Sequence, residues 1–358
     1  MSEPWNKYDL TAARTHGRPG REVRPTGVTI DCHAHIFTDA AADYVATHMN
    51  VARTPTIKGA VAETVVLQKK QGADRTPLML PGGMDRRLAD MEKMGLDMQL
   101  VMPAPYQCYY AVEPEVGVKA ARMVNEGVAE YIVNRTDRFA ALGTVAMQDG
   151  KAAADELEYC MTELGFRGVQ ILTNINGREI SDPDTAPFWR AAERLGAVVS
   201  IHPAGFTQAE RLSRFYFNNV IGNPFDTNLA LHYLIFDGVL ERHPNLKVLA
   251  VHGGGYLAAY SGRIDHAWGA RSDAHGNLPH PPSTYLKRVW VDTIVFTTHQ
   301  LEALVKVFGA ERVMMGTDYP FDMGEYDPIG HVVETGLDDK MTKAVVGGNA
   351  AKLFRMGG

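Results

Sequence analysis

Cysteine is scarce in this chain: Cys32, Cys108 and Cys160 are the only three in 358 residues, odd in number and far apart. Their spacing excludes a disulfide framework and a clustered-cysteine zinc site, and fits a reducing compartment. Long apolar runs are missing too. No stretch approaches the ~20 residues needed to span a membrane, and the polar segment Met1–Gly27, rich in Arg, Pro and Gly, lacks the apolar core of a signal peptide. Positive charge is not in excess: 36 Lys and Arg against 42 Asp and Glu leave a formal charge of -6. That gives no basic face for nucleic acid and no polybasic membrane patch, so any anionic ligand must be held by a few placed arginines. Low-complexity segments and short-period repeats are also lacking. Together these absences predict a soluble cytoplasmic protein with neither nucleic-acid nor membrane partners.

What the chain has is enough apolar material for one large core, with hydrophobic residues at 45% and charged residues at 22%. Short apolar runs alternate with amphipathic stretches from Val28 to Phe354. Strands are predicted at 28–32, 98–102, 142–146, 168–172, 198–202, 247–251, 289–291 and 313–315, and most of the intervals between them carry helical spacing. About eight strand-helix units make the expected fold class an α/β (β/α)8 barrel, whose chemistry lies at the C-terminal ends of its strands. The domain is read as residues 28–358, preceded by an N-terminal arm over 1–27. Thr38–Gly83, a mix of Pro, Gly, Lys and short Val-rich segments, reads as an insertion or small lobe rather than a clean helix.

Four strand exits carry groups competent to bind metal. His33-Ala34-His35-Ile36 follows the run Val28-Thr29-Ile30-Asp31-Cys32, and in an extended strand His33 and His35 share a face. Val198–Ile201 runs into His202, Val248–Val251 into His252, and Val313–Thr317 into Asp318. His33, His35, His202 and Asp318 supply three neutral nitrogens and one carboxylate, a set suited to Zn²⁺ with a position left for water or substrate. A cation so held brings the pKa of bound water to about 7. His252, followed by Gly253-Gly254-Gly255, is better placed as a general base than as a further ligand. Plainer readings exist: capping histidines at 33 and 35, core histidines at 202 and 252, a turn aspartate at 318. The shared strand-exit position weighs against them. His16, His48, His243, His275, His280, His299 and His331 read as ordinary solvated residues, and His232 and His266 as structural ones.

These residues sit among longer matches. Arg138-Phe139, Glu163–Phe166, Gly168–Ile171, Ala191–Leu195, His202-Pro203, Pro244–Val248, His252–Gly255, Gly262–Ile264 and Gly316–Phe321 with Gly324-Glu325 resemble the metal-dependent decarboxylase branch of the amidohydrolase superfamily, most closely the aminocarboxymuconate semialdehyde decarboxylases. The resemblance runs from about Arg138 to the C-terminus and is thin upstream, outside Asp31–His35. It implies a zinc site (Mn²⁺ being the alternative ion) on His33, His35, His202 and Asp318, with His252 as acid/base residue. It further implies that Arg263 reaches a substrate carboxylate in the neighbouring subunit of a homodimer, and that Arg75 is the second substrate-binding arginine, across a segment with almost no identity.

Two departures bear on the substrate. The family's tryptophan after His-Pro is replaced by Ala204-Gly205, and its aromatic loop after the second strand becomes Met102–Tyr109, which offers Tyr106 and Tyr109 as stacking or hydroxyl groups. Phe321 is expected beside Tyr106 in the substrate pocket. The implied activity is non-oxidative decarboxylation of an unsaturated or aromatic acid, muconate semialdehyde-like or hydroxybenzoate-like, in aromatic catabolism. Its rivals are a mononuclear hydrolase or hydratase on the same barrel and, more distantly, a non-catalytic metal-binding scaffold. A dinuclear hydrolase would want a carboxylated Lys where this chain has Val169-Gln170-Ile171-Leu172.

Overall fold

Eight parallel strands close into a barrel in the computed structural model, which describes residues 20–49 and 62–357. Residues 1–19 of the expected arm and 50–61 of the expected insertion lie outside the described residues. The strands are β1 (Ile30–Ile36), β2 (Met98–Pro103), β3 (Phe139–Ala141, resuming as Gly143–Thr144), β4 (Gly168–Leu172), β5 (Val198–His202), β6 (Lys247–Ala250), β7 (Val289–Asp292) and β8 (Val313–Met314). The interruption at Leu142 lets β3 serve two neighbours: its first half pairs with β2, its second with β4. The ring closes where Cys32 N donates to Met315 O, Asp318 N to His33 O and His35 N to Tyr319 O. Closure therefore runs through the segment that holds the candidate ligands.

Helices α1 (Asp39–Ala46), α2 (Ala62–Met79) and α3 (Met84–Met94) lie between β1 and β2. Beyond them, α4 (Pro114–Ile132), α5 (Gly150–Thr162), α6 (Ala186–Leu195), α7 (Asn223–Phe236), α8 (Leu257–Ala270) and α9 (Thr298–Phe308) each follow a strand. The chain closes on a helical run that begins at Asp339–Lys343, passes through a π-helical segment, Ala344–Gly348, and continues as α10 (Asn349–Phe354). Its Val345 carbonyl accepts from Met315 N just past β8, which ties the wound segment to the barrel wall. One difference from expectation concerns α2, an 18-residue helix where irregular structure was expected. Glu, Leu, Gln, Lys, Ala and Arg outweigh Gly72 there, and Pro77 falls near the end, where it breaks least.

Packing follows strand alternation. Val101, Val169, Ile171, Val199, Ile201 and Val291 face the layer under the helices. Ile30, Leu100, Leu142, Val198, Leu249 and Met314 fill the barrel against Leu353 and Phe354 of α10. Burying each of these side chains fully is worth about 1.5–3 kcal/mol, so the barrel interior is a packed floor rather than a pore. The polar site sits above it.

Candidate active site

A bulge in β1 brings the first histidine into the barrel. Asp31 stands opposite Gln99 and Ala34 opposite Val101, so Cys32 and His33 together face Leu100 alone. Two successive side chains then point inward, which strict alternation forbids. Asp31 holds the distortion: its carboxylate accepts from His33 N (2.9 Å), Thr317 N (3.0 Å), Thr317 Oγ1 (2.5 Å) and Gln99 Nε2 (2.9 Å). Burial pushes that carboxyl up to about 6 against the pull of these donors.

His33, His35, His202, His252 and Asp318 converge at the mouth of the barrel. His33 Nε2 lies 3.0 Å from His35 Nε2 and 3.5 Å from Asp318 Oδ1; His35 Nε2 is 3.0 Å from Asp318 Oδ1. The His202 ring centroid is 5.1 Å from those of both His33 and His35 and 4.9 Å from that of His252. Ligand atoms of His33, His202, His252 and Asp318 all fall within 4.8 Å of one another. The far nitrogens are committed. His33 Nδ1 meets Asp292 Oδ2 at 2.9 Å, His35 Nδ1 meets Pro103 O at 3.1 Å, and His202 Nδ1 meets Pro203 O at 2.6 Å. Each ring thus turns its Nε2 inward, and that of His202 is buried without a hydrogen-bond partner. Such a donor set fits a divalent cation.

Electrostatics separates the histidines. Burial pulls His35 down to about 4 and, helped by the adjacent imidazoles, His202 well below the usual histidine range. For His33 burial works the same way, yet the hydrogen bond to Asp292 and the charges of Asp318 and Asp292 outweigh it and leave the pKa raised. Burial opposes the charge on Asp318, but the adjacent imidazoles of His252, His35 and His33 hold it well below the ordinary carboxylate range. His252 differs in access: its side chain is 17% exposed, whereas those of His33 and His35 show 0%. Its Nε2 is 3.7 Å from Asp318 Oδ2. Both residues adopt left-handed backbone, φ 54° at His252 and φ 59° at Asp318, an uncommon conformation concentrated at functional sites. The turn after His252 needs glycine, since a Cβ on Gly253 (φ 63°) would sit 2.4 Å from Val295 Cγ1.

Asp292 was not singled out in the sequence. It ends β7 and accepts from His252 N (2.9 Å), Gly253 N (2.8 Å) and Ile294 N (3.1 Å) besides facing His33. One carboxylate thus orients two of the histidines. The available signal was an acid at the exit of Val289–Val291, the same pattern that marked Asp318.

Other expected residues fall into place unevenly. Arg75 on α2 is 6% exposed, and its charge acts on Tyr216, Asp322 and Tyr326, all of which also feel Asp318. Tyr106 is 42% exposed and its ring lies 6.4 Å from that of Phe321, which packs on His35 at 4.8 Å. Tyr109, offered with Tyr106 as a pocket group, is instead buried, its hydroxyl accepting from Gln107 Nε2 (3.2 Å). Arg263 is exposed on α8. His331, read as solvated, is fully buried on a short helix, with Nδ1 3.6 Å from Glu325 Oε2, because that helix packs inward behind the Asp318 loop. His266, read as structural, lies exposed on α8.

Residues 30–356 match the family model described as amidohydrolase. The chain belongs to this family. It is 35% identical over 273 residues to a 2-amino-3-carboxymuconate-6-semialdehyde decarboxylase from Dictyostelium discoideum, covering 75% of this chain and 76% of the relative. A gamma-resorcylate decarboxylase from Rhodococcus jostii (strain RHA1) is 28% identical, with 76% of this chain and 87% of the relative covered. Among solved structures, a 5-carboxyvanillate decarboxylase from Novosphingobium aromaticivorans DSM 12444, complexed with manganese and 4-hydroxy-3-methoxy-5-nitrobenzoic acid, superposes with a TM-score of 0.79 at 24% identity over 92% of this chain and 97% of that one. The amidohydrolase-family chain thus falls in the decarboxylase branch, as a metal-dependent carboxy-lyase with a (β/α)8 barrel.

Proposed function

We propose that the enzyme removes CO₂ without oxidation from an aromatic or unsaturated carboxylic acid, hydroxybenzoate-like or muconate semialdehyde-like, with zinc or manganese as its ion. The observation that carries this reading is the asymmetry of the site: three imidazoles with inward Nε2 atoms and Asp318 are buried together, while His252 alone among the four histidines opens to the pocket. His33, His35, His202 and Asp318 would hold the ion. A divalent cation there supplies Lewis-acid polarisation of substrate oxygens.

The chain's own residues do the rest. Arg75 holds a carboxylate by charge-assisted hydrogen bonds, and Tyr106 and Phe321 flank the planar substrate. His252 delivers its proton to the carbon that bears the leaving carboxylate, which becomes tetrahedral. The C–C bond then breaks, its electron pair restores the π system, and CO₂ departs. Asp318 Oδ2, 3.7 Å away, steadies the protonated imidazole, and solvent access at His252 allows reprotonation. Arg263, exposed on α8, would complete the neighbouring site in a homodimer. The compartment consistent with three buried free thiols is the cytoplasm, and no described helix is long and apolar enough to cross a membrane.

The test is a product assay. Metal-reconstituted protein is incubated with a panel of hydroxybenzoic acids and muconic semialdehydes, and released CO₂ is measured. Release of CO₂ from at least one acid is expected. Ring opening or water addition without CO₂ would transfer the site to the hydrolase or hydratase reading.

A further inference from the structure

Gln170 hydrogen-bonds none of the candidate metal donors, yet it shares a partner with one of them. On β4 its neighbours Val169 and Ile171 face the layer under the helices, so Gln170 points into the barrel, where it is fully buried. Its Nε2 donates to Pro103 O at 2.9 Å and approaches Cys108 Sγ at 3.7 Å. A flipped amide would set its oxygen against the Pro103 carbonyl at the same separation, so the orientation is decided. The same carbonyl accepts from His35 Nδ1 at 3.1 Å. One backbone oxygen at the end of β2 therefore fastens both the Gln170 amide and the His35 ring.

The consequence lies in the tautomer. With Nδ1–H committed to Pro103, His35 carries its lone pair on Nε2, the atom 3.0 Å from both His33 Nε2 and Asp318 Oδ1. Packing alone does not account for an amide here. Gln170 Oε1 is buried with no hydrogen-bond partner, a cost that an apolar side chain of the same shape would avoid. The donation to Pro103 is what such a chain would lose.

We propose that Gln170 is a positioning residue: by pinning the Pro103 carbonyl it fixes the ring and tautomer through which His35 binds the metal ion. The inference rests on the reading of His35 as a ligand. It is tested with Gln170→Met, which keeps the shape and removes the donor, by titrating metal-free protein with Mn²⁺ in a calorimeter and recording the downfield imidazole N–H resonance of His35. Affinity about 10–100-fold below that of the unaltered protein, with the resonance lost to exchange and the metal-free melting temperature little changed, is expected. Gln170→Asn, whose amide is too short to reach Pro103, should give the same result and serves if the Met variant does not fold. Unaltered affinity and an intact resonance in a folded variant overturn the proposal. If the unaltered protein binds Mn²⁺ but releases CO₂ from no acid, the substrate reading fails while the titration still decides the role of Gln170; if it binds no divalent cation, both fail.

Discussion

His33 Nδ1 and Asp292 Oδ2 stand 2.9 Å apart, both with fully buried side chains. The contact links the exit of β7 to the bulge of β1, and it fixes which nitrogen His33 turns toward the centre. Because burial's opposition is overcome by its hydrogen bonds, above all the one from His33, Asp292 is held below the usual carboxylate range and remains an acceptor. It serves four donors at once.

Removing that carboxylate should therefore weaken metal binding before it weakens the fold. In Asp292→Asn the affinity for Mn²⁺ is expected to fall about 10–100-fold, because the orienting partner of His33 loses its charge. In Asp292→Ala all four donors lose their acceptor, whereas the single amide oxygen of asparagine still serves Gly253 N and Ile294 N; each buried donor stranded costs about 1–3 kcal/mol. Melting should accordingly drop by several degrees more in the alanine variant than in the asparagine one. Calorimetric titration and thermal unfolding check the pair, and Asn binding Mn²⁺ like the unaltered protein would remove Asp292 from the orienting role.

How far these relationships could be read in advance depended on range. His33, His35, His202, His252 and Asp318 were legible because strand exits on a parallel barrel all open at one rim, so short runs ending in a metal-competent group converge without any knowledge of pairing. The bulge was not, since Ile30-Asp31-Cys32-His33 looks like plain alternation until β2 supplies the register. Arg75 rested on the resemblance alone, across a segment with almost no identity, because its burial on α2 is a long-range fact that no local spacing carries. Asp292 carried a readable strand-exit signal, but a residue that works by orienting others has no spacing of its own. His331 was misread for the opposite reason: a polar sequence context says nothing about the loop that buries it.

His252 should separate turnover from metal content. His252→Gln keeps much of the shape and the backbone contacts to Asp292 while removing the titrating nitrogen. Elemental analysis should find the ion retained, and kcat should fall about 10²–10⁴-fold, the usual contribution of a placed acid or base. Loss of the metal in this variant would instead make His252 a ligand, a role its proximity to His33, His202 and Asp318 also permits geometrically.

Metal affinity should rise with pH. In the metal-free protein His35 and His202 are already neutral near neutrality, their pKa values being lowered, whereas His33, raised by its contact with Asp292 and the nearby carboxylates, keeps its proton to higher pH than an ordinary histidine. The ion must displace that proton, so binding should release protons at the acid end of the range, where His33 is still charged. Affinity should climb by up to about tenfold per pH unit and level off once pH passes the raised pKa of His33. Titrations in buffers of different ionisation enthalpy read the proton count directly, and binding that strengthens as pH falls would contradict the sign.

Arg263 gives the sharpest test of a shared site. Arg263→Ala and His252→Gln should each be nearly inactive as pure proteins, the first for want of the partner's arginine and the second for want of the acid. If Arg263 serves its own site, mixing the two after reversible dissociation restores nothing, because every active site still lacks one group. If it serves the neighbouring site, each mixed dimer contains one site with both defects and one with neither. Random reassortment makes about half of the dimers mixed, so activity should return to about a quarter of the unaltered level. Recovery that depends on exchange time and vanishes when the subunits are cross-linked before mixing places the arginine across the dimer; no recovery after verified exchange assigns it to its own chain or to the solvent.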